Sequence, residues 1–305
     1  MSDNFNRWNK NIDPSFWEDE PYEWPESSLQ ELFQCLKLKP NENALEVGSG
    51  TGFLSCSLAR LNPEVHFTGL DISLPLLNHA KIENRKTNEN YWPGFIQGDG
   101  NELPFFSGSF DAVFSKSYIH MLDEPVKGLR EMSRVLKVGG RLAALFSTAG
   151  QFSPSFMGNY SFDGAERLLQ LRKKMDKIRQ EIVAERQKEP DSTDLYELPY
   201  LFSAIGLENV HLHPFPYCFS FYDNRWPLAL RKSFLIRSYE RFKEIVSRRK
   251  SWKPMLEKGM TESEFDEMIS LAKRKKETML NMADDKNPWE WIAGMYVLVT
   301  GEKPM

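Results

Sequence analysis

Cysteine is scarce in this sequence. Its 305 residues hold three, Cys35, Cys56 and Cys218, all far apart. That spacing offers no disulfide framework, no metal-ligand pair and no clustered iron–sulfur motif, and it fits reduced thiols in a cytoplasmic chain. Long apolar runs are also missing. None approaches the roughly 18 residues of a membrane-spanning helix, and the start, Met-Ser-Asp-Asn-Phe-Asn-Arg, has no apolar segment of the signal-peptide kind. A basic surplus is absent too. The net charge of −4 argues against a nucleic-acid partner. Two basic clusters, Arg248-Arg249-Lys250 and Lys273-Arg274-Lys275-Lys276, have acidic neighbours and read as solvated helix faces. No internal repeat and no low-complexity tract interrupts the chain.

What remains is the profile of a globular protein: 41% hydrophobic, 27% charged and 13% aromatic residues. The length suits one large core with attachments. Residues 1–35 form an aromatic, acidic arm with Trp8, Phe16, Trp17, Tyr22 and Trp24, broken by Pro14, Pro21 and Pro25. Its rings either anchor the arm or roof a ligand pocket. A short helix over 25–36 leads into the core.

Residues 36–147 alternate between strand and helix. Ala44 to Val47 is an apolar strand, followed by Gly48, Gly50 and Gly52 and a helix from Phe53. Val65 to Leu70 is a second strand, ended by Asp71, after which Ser73 caps a helix with Pro75 in its first turn. Phe95 to Gln97 and Phe110 to Ser115 are strands three and four. Asp123 to Leu136 is a helix stopped by Gly139-Gly140, and Arg141 to Phe146 is strand five. This rhythm predicts βαβ units with right-handed crossovers. Residues 148–194 depart from it, with an amphipathic helix whose narrow seam (Leu168, Leu171, Met175, Ile178, Ile182) suits either a lid packed on the core or a homodimer contact. Residues 195–215 return a helix and strand six. Residues 216–288 are a second helical insertion, and 289–305 hold the last strand. The fold class expected is α/β, a Rossmann-like doubly wound sheet of seven mostly parallel strands, with the helical insertions forming a cap.

The glycine turn allows two ligands. Dinucleotide binding needs Gly-x-Gly-x-x-Gly, with the third glycine for close helix–strand packing. Counted from Gly48 and Gly50, that place is Phe53, which opposes the reading. The order Glu46-x-Gly48-x-Gly50-x-Gly52 instead resembles the first motif of class I S-adenosylmethionine-dependent methyltransferases. Further pieces resemble the same family in order: Asp71 at the end of strand two, Gly98-Asp99-Gly100 with Leu103-Pro104-Phe105, Phe110 to Ser115, Leu136 to Leu142, and Gly206 to Val210. Within the family, the small-molecule and quinone-biosynthesis types look most similar. The resemblance covers about 40–147, 195–215 and 290–300, and leaves out the arm and both insertions.

The resemblance implies S-adenosyl-L-methionine as cofactor and a small-molecule methyl acceptor. Gly48, Gly50 and Gly52 would carry the cofactor. Asp71, with Ile72 beside it, would hold the ribose diol, because a carboxylate accepts two hydrogen bonds. Asp99 and Gly100 would meet the adenine and Ser115 the methionine end, while Glu46 would bond the turn amides first. Plainer readings stay open: glycines serving only the turn, Asp71 capping the next helix, Asp99 as a turn residue.

Methyl transfer from a sulfonium needs a base only when the acceptor must lose a proton. In Ser115-Lys116-Ser117-Tyr118-Ile119-His120, beyond strand four, His120 is the candidate base and Tyr118 a candidate for orienting substrate. A packing role is the alternative for His120. His211 and His213 share one side of strand six but lack a third ligand, so no metal is expected. The segment does not resemble the Asn/Asp-Pro-Pro-Tyr motif of base-amine methyltransferases, and Glu124 alone does not resemble the paired glutamates of protein-arginine enzymes. Two other functions are kept in view: a cofactor-binding scaffold without turnover, and a tRNA or protein methyltransferase acting through the basic clusters.

Overall fold

The computed structural model describes residues 24–85, 93–122, 124–147, 157–158, 162–186, 197–220, 223, 227–247, 252–282 and 290–305. In chain order the elements are α1 (Glu26–Cys35), β1 (Asn43–Val47), α2 (Phe53–Leu61), β2 (His66–Asp71), α3 (Leu74–Arg85), β3 (Gly94–Gln97), β4 (Phe110–Lys116), α4 (Pro125–Val135), β5 (Leu136–Ser147), β6 (Met157–Gly158), α5 (Ala165–Arg186), α6 (Leu198–Ala204), β7 (Glu208–Ser220), α7 (Leu228–Ser247), α8 (Lys253–Glu257), α9 (Glu262–Asn281) and β8 (Glu290–Glu302). Trp8, Phe16, Trp17, Tyr22 and Asp123 lie outside the described residues.

The chain divides into two units. The first comprises Met1–Gly150, Thr193–Tyr217 and Met295–Met305. Its strands pair in the order β3-β2-β1-β4-β5-β8, with β7 also on β8. The first five are parallel to their neighbours, and β8 runs antiparallel to β5. This is the Rossmann-like sheet of seven strands that the alternation predicts. Period-two alternation sorts the side chains. Ala112 and Phe114 pack on one face with Leu54, Leu58 and Phe67, while Val113 packs on the other with Leu45, Leu129 and Met132. Helices on both faces explain why the central strands read as unbroken apolar runs. Trp24 is buried against Phe215 and Tyr296, with centroids 5.7 and 5.0 Å away, so this ring of the arm is an anchor.

One expectation is overturned. Gly139 and Gly140 do not stop a helix. α4 ends at Val135, and Leu136 is already extended (φ −72°, ψ 139°). The glycines lie inside β5 at a register shift against β4, between Phe110↔Leu136 and Ala112↔Arg141. Gly139 adopts φ +72°, and a Cβ on Gly140 would stand 2.8 Å from the Lys137 carbonyl oxygen. The pair makes a bulge, a site where glycine is favoured for the same reasons as at a helix stop.

The second unit comprises Gln151–Ser192 and Cys218–Gly294. Leu168, Leu171 and Ile178 of α5 are buried with Phe265, Met268 and Leu271 of α9 and Val246 of α7. The narrow seam of α5 is therefore covered within its own unit, not left free for a dimer. Trp252 stacks on Phe265 at 3.7 Å. Arg167–Glu267 (2.8 Å) and Lys174–Glu264 (2.7 Å) tie α5 to α9.

Candidate functional site

Beyond Val47 the backbone turns through Gly48, Gly50 and Gly52, at φ +76°, +54° and +75°. L side chains avoid this left-handed region. The N–H groups of Gly48 and Ser49 both donate to the Leu70 carbonyl oxygen (2.8 and 2.9 Å), fastening the turn to the end of β2. Asp71 completes the fastening: Oδ2 accepts from the Gly50 N–H and Oδ1 from the Ser73 N–H, both at 2.8 Å. The Ser73 hydroxyl, expected to cap the following helix, is instead buried without a hydrogen-bond partner. Burial pushes the Asp71 carboxyl above its ordinary pKa, and the N–H groups of Ser73, Gly50 and Ile72 pull partly the other way. Each carboxylate oxygen has a second lone pair, so these bonds leave Asp71 able to accept from a diol.

Glu46 is 2% exposed, and its Oε2 accepts from the Ser55 N–H (3.0 Å) and the Ser55 hydroxyl. It sits at the N-terminal turn of α2, where orphan N–H groups and the helix dipole favour a carboxylate. Asp99 accepts from the Asn101 N–H (2.9 Å) through Oδ1, so it also shapes its turn. The Gln97 amide donates to the Ile72 carbonyl oxygen (3.0 Å) and holds the ends of β2 and β3 together.

Tyr118 lies across this region. Its ring fills the space beside Gly48, and its hydroxyl fills the space beside Gly100, so a Cβ at either glycine would overlap it. Burial first, then the charges of Asp71 and Asp99, push the phenol far above its ordinary pKa, and the Gly100 N–H faces it. The structure therefore brings Gly48, Asp71, Asp99, Gly100 and Tyr118 together. His120 instead sits exposed in the short helical turn Ile119–Met121, where partial burial of the ring holds its pKa below the usual histidine value. Ser115 is 1% exposed with an unpartnered hydroxyl. His213 Nε2 lies 3.4 Å from the Thr300 hydroxyl, and the rings of His211 and His213 are 6.4 Å apart. Among the described residues no group of three or more His, Cys, Asp or Glu could hold a metal.

The residues fit a ligand carrying a diol and an amine. Left-handed glycines open the backbone, and two carboxylates stand at the ends of β2 and β3. Unpartnered buried polar atoms (Ser49, Ser73 and Ser115 hydroxyls, Asn101 Oδ1) lie beyond the ends of β1, β2 and β3 and at the end of β4. Such atoms are rare unless a partner is expected. Sequence reasoning passed over Ser55, Ser49 and Asn101. Ser55 was findable, since it sits in the first turn of a helix facing a carboxylate at the end of the preceding strand. Phe95, whose ring stands against Gly52 and Gly69, gave no such signal.

Residues 45–144 match a family model described as a methyltransferase domain. The malonyl-[acyl-carrier protein] O-methyltransferase of Legionella pneumophila is 36% identical over 124 residues, 41% of this chain and 42% of that protein. A demethylmenaquinone methyltransferase of Listeria welshimeri is 35% identical over 117 residues, 38% of this chain and 49% of that protein. The chain thus spans about half the length of these curated relatives. Among solved structures, the YcgJ protein of Bacillus subtilis is 16% identical with a TM-score of 0.50, over 92% of this chain and 100% of that one, a likeness of fold.

Proposed function

We propose that this chain, whose residues 45–144 match a model described as a methyltransferase domain, is a class I S-adenosylmethionine-dependent methyltransferase that methylates a small molecule. The observation that carries the reading is the left-handed glycine turn fastened to Asp71 at the end of β2, with Asp99 beyond β3. S-Adenosylmethionine, when bound, supplies an activated methyl group together with its leaving group. Gly48, Gly50 and Gly52 give close backbone approach. Asp71 would accept from the ribose hydroxyls with Ile72 beside it, Asp99 and Gly100 would meet the adenine, and Ser115 would meet the methionine end. Glu46 acts at one remove, by holding the first turn of α2.

The transfer is an in-line displacement, so the chain's remaining task is to hold the acceptor about 3 Å from the methyl carbon and exclude water. His120 is the proposed base for an acceptor that must lose a proton. Its depressed pKa keeps the imidazole neutral and proton-accepting at pH 7. The small-molecule class is supported by Ser115-Lys116-Ser117-Tyr118 in the place where base-amine enzymes carry Asn/Asp-Pro-Pro-Tyr, and by a relative named for a demethylated menaquinone.

The test is incubation of the full chain with methyl-labelled S-adenosylmethionine and a pooled low-molecular-weight cell extract. Label should move into the small-molecule fraction, and Asp71→Ala should need a higher cofactor concentration for the same rate of transfer. Tight cofactor binding with no label moved to any extract would contradict the enzyme reading. For the base, kcat/KM should stay level above neutrality and fall only below about pH 6.5, the ordinary histidine value. Near-full turnover by His120→Ala from about pH 6 to 9 would remove that role.

A further inference from the structure

One side chain crosses the carboxyl ends of the strands. Tyr118 Cγ and Cδ2 stand against Gly48, in the turn after β1, and Tyr118 Oη stands against Gly100, in the loop after β3. The carboxylates of Asp71 and Asp99 act on the same hydroxyl, and the Gly100 N–H faces it. An adenine edge presents an exocyclic amine beside a ring-nitrogen acceptor. A carboxylate followed by a backbone N–H is the complementary pair, and Asp99 with Gly100 is such a pair. The phenol already faces that N–H, so phenol and adenine compete for one place. Immediately before it, Ser117 holds a left-handed backbone (φ +51°) while its N–H donates to the Leu145 carbonyl oxygen (2.7 Å). The end of β4 is thereby pinned, and the freedom left is rotation of the Tyr118 side chain itself.

We propose that Tyr118 is a gate on the cofactor groove: in the cofactor-free chain its ring occupies the space between Gly48 and Gly100 that the adenosine part of S-adenosylmethionine takes, and it swings out before the cofactor binds. The gate rests on the reading of this groove as the cofactor site. A gate of this kind lowers the apparent affinity by the fraction of open chains, so a closed state favoured about ten to one weakens binding about tenfold. It also makes opening limit the association rate at high ligand concentration.

The experiment is binding of S-adenosylhomocysteine to wild type, Tyr118→Phe and Tyr118→Ala, by calorimetry and by stopped-flow mixing. The observed rate should level off with concentration in wild type and rise linearly in Tyr118→Ala, which should bind about tenfold more tightly. Tyr118→Phe keeps the ring but loses the hydroxyl's tie to Gly100, so it should fall between the two. Equal or weaker binding by Tyr118→Ala overturns the gate, the weaker case making the ring part of the binding surface, and leaves the cofactor site standing. No binding by any of the three overturns both. If Tyr118→Ala does not fold, Tyr118→Phe decides: faster association supports the gate, and unchanged or slower association overturns it.

Discussion

Asp71 carries more than one duty, and substitutions separate them. Its oxygens accept from Gly50 and Ser73, so Asp71→Ala should both loosen the turn and weaken S-adenosylhomocysteine binding, the second by about 1–3 kcal/mol for two lost hydrogen bonds to a diol. Calorimetry with unchanged affinity would reject the ribose assignment. Gly100 tests the packing of Tyr118 independently of any ligand. A methyl group there would overlap the phenol oxygen and drive the ring to its open position, so Gly100→Ala should cost about 1.4 kcal/mol by chemical denaturation, the cost of overcoming a tenfold preference for the closed ring. In a Tyr118→Ala background most of that cost should disappear, and an additive double mutant would show that the two side chains do not meet. The Glu42–Arg141 pair, 15% and 12% exposed, is a stability element. Burial would raise the Glu42 carboxyl, but the Arg141 guanidinium and the Lys39 N–H outweigh it and hold the pKa below the ordinary glutamate value. A depressed carboxyl pKa contributes stability that is present above the unfolded value and lost as pH falls through the folded one. Glu42→Gln should therefore cost about 1–2 kcal/mol at neutral pH, with the gap to wild type closing below about pH 4.5. A gap that stays constant with pH would show that the charge plays no part.

Elements were legible where their signals are local. β1, β2 and β4 announce themselves as apolar runs because helices cover both faces of the sheet, and α2 begins where the glycines end. The carboxylates at strand ends, Asp71 and Asp99, could be placed for the same reason. Gly139-Gly140 misled because glycine after a helical stretch looks like a stop, while the cause of the bulge is distant in sequence. Gly139 N–H donates to the Lys303 carbonyl oxygen and Lys303 N–H donates to that of Gly140, both at 2.9 Å. Ser73 misled because a serine before a helix looks like a side-chain cap, while here its hydroxyl is buried without a partner and only its carbonyl oxygen joins the helix, accepting from the Leu77 N–H (3.1 Å). In the second unit, α9 starts on a capping box: the Thr261 hydroxyl accepts from the Glu264 N–H (3.2 Å), and Glu264 accepts in return from the Thr261 N–H (2.9 Å). Thr261→Ala should lower stability by about 1 kcal/mol in thermal melting. No shift in the melting temperature would mean that the cap contributes nothing beyond the packing of Phe265 and Met268.

At the scale of the whole molecule, reach decides what sequence can show. A strand, a turn and a helix in series can be read from spacing, and so could the mostly parallel sheet and the place of the glycine turn, whereas the strand order comes only from the fold. Tyr118 could not be placed that way. It was a candidate for orienting substrate, and its ring instead spans from the turn after β1 to the loop after β3, a contact that only the assembled sheet creates. The covering of the α5 seam by α7 and α9 is likewise a tertiary fact. The central claim is that the glycine turn, Asp71 and Asp99 together hold S-adenosylmethionine. The most direct measurement is a crystal structure of the full chain grown with S-adenosylhomocysteine. It should show the ribose hydroxyls on Asp71, the adenine amine on Asp99, the backbone of Gly48 to Gly52 beneath the ligand, and the Tyr118 ring turned out of the space it now fills. A ligand seated elsewhere, with Asp71 still bonded only to Gly50 and Ser73, would contradict it.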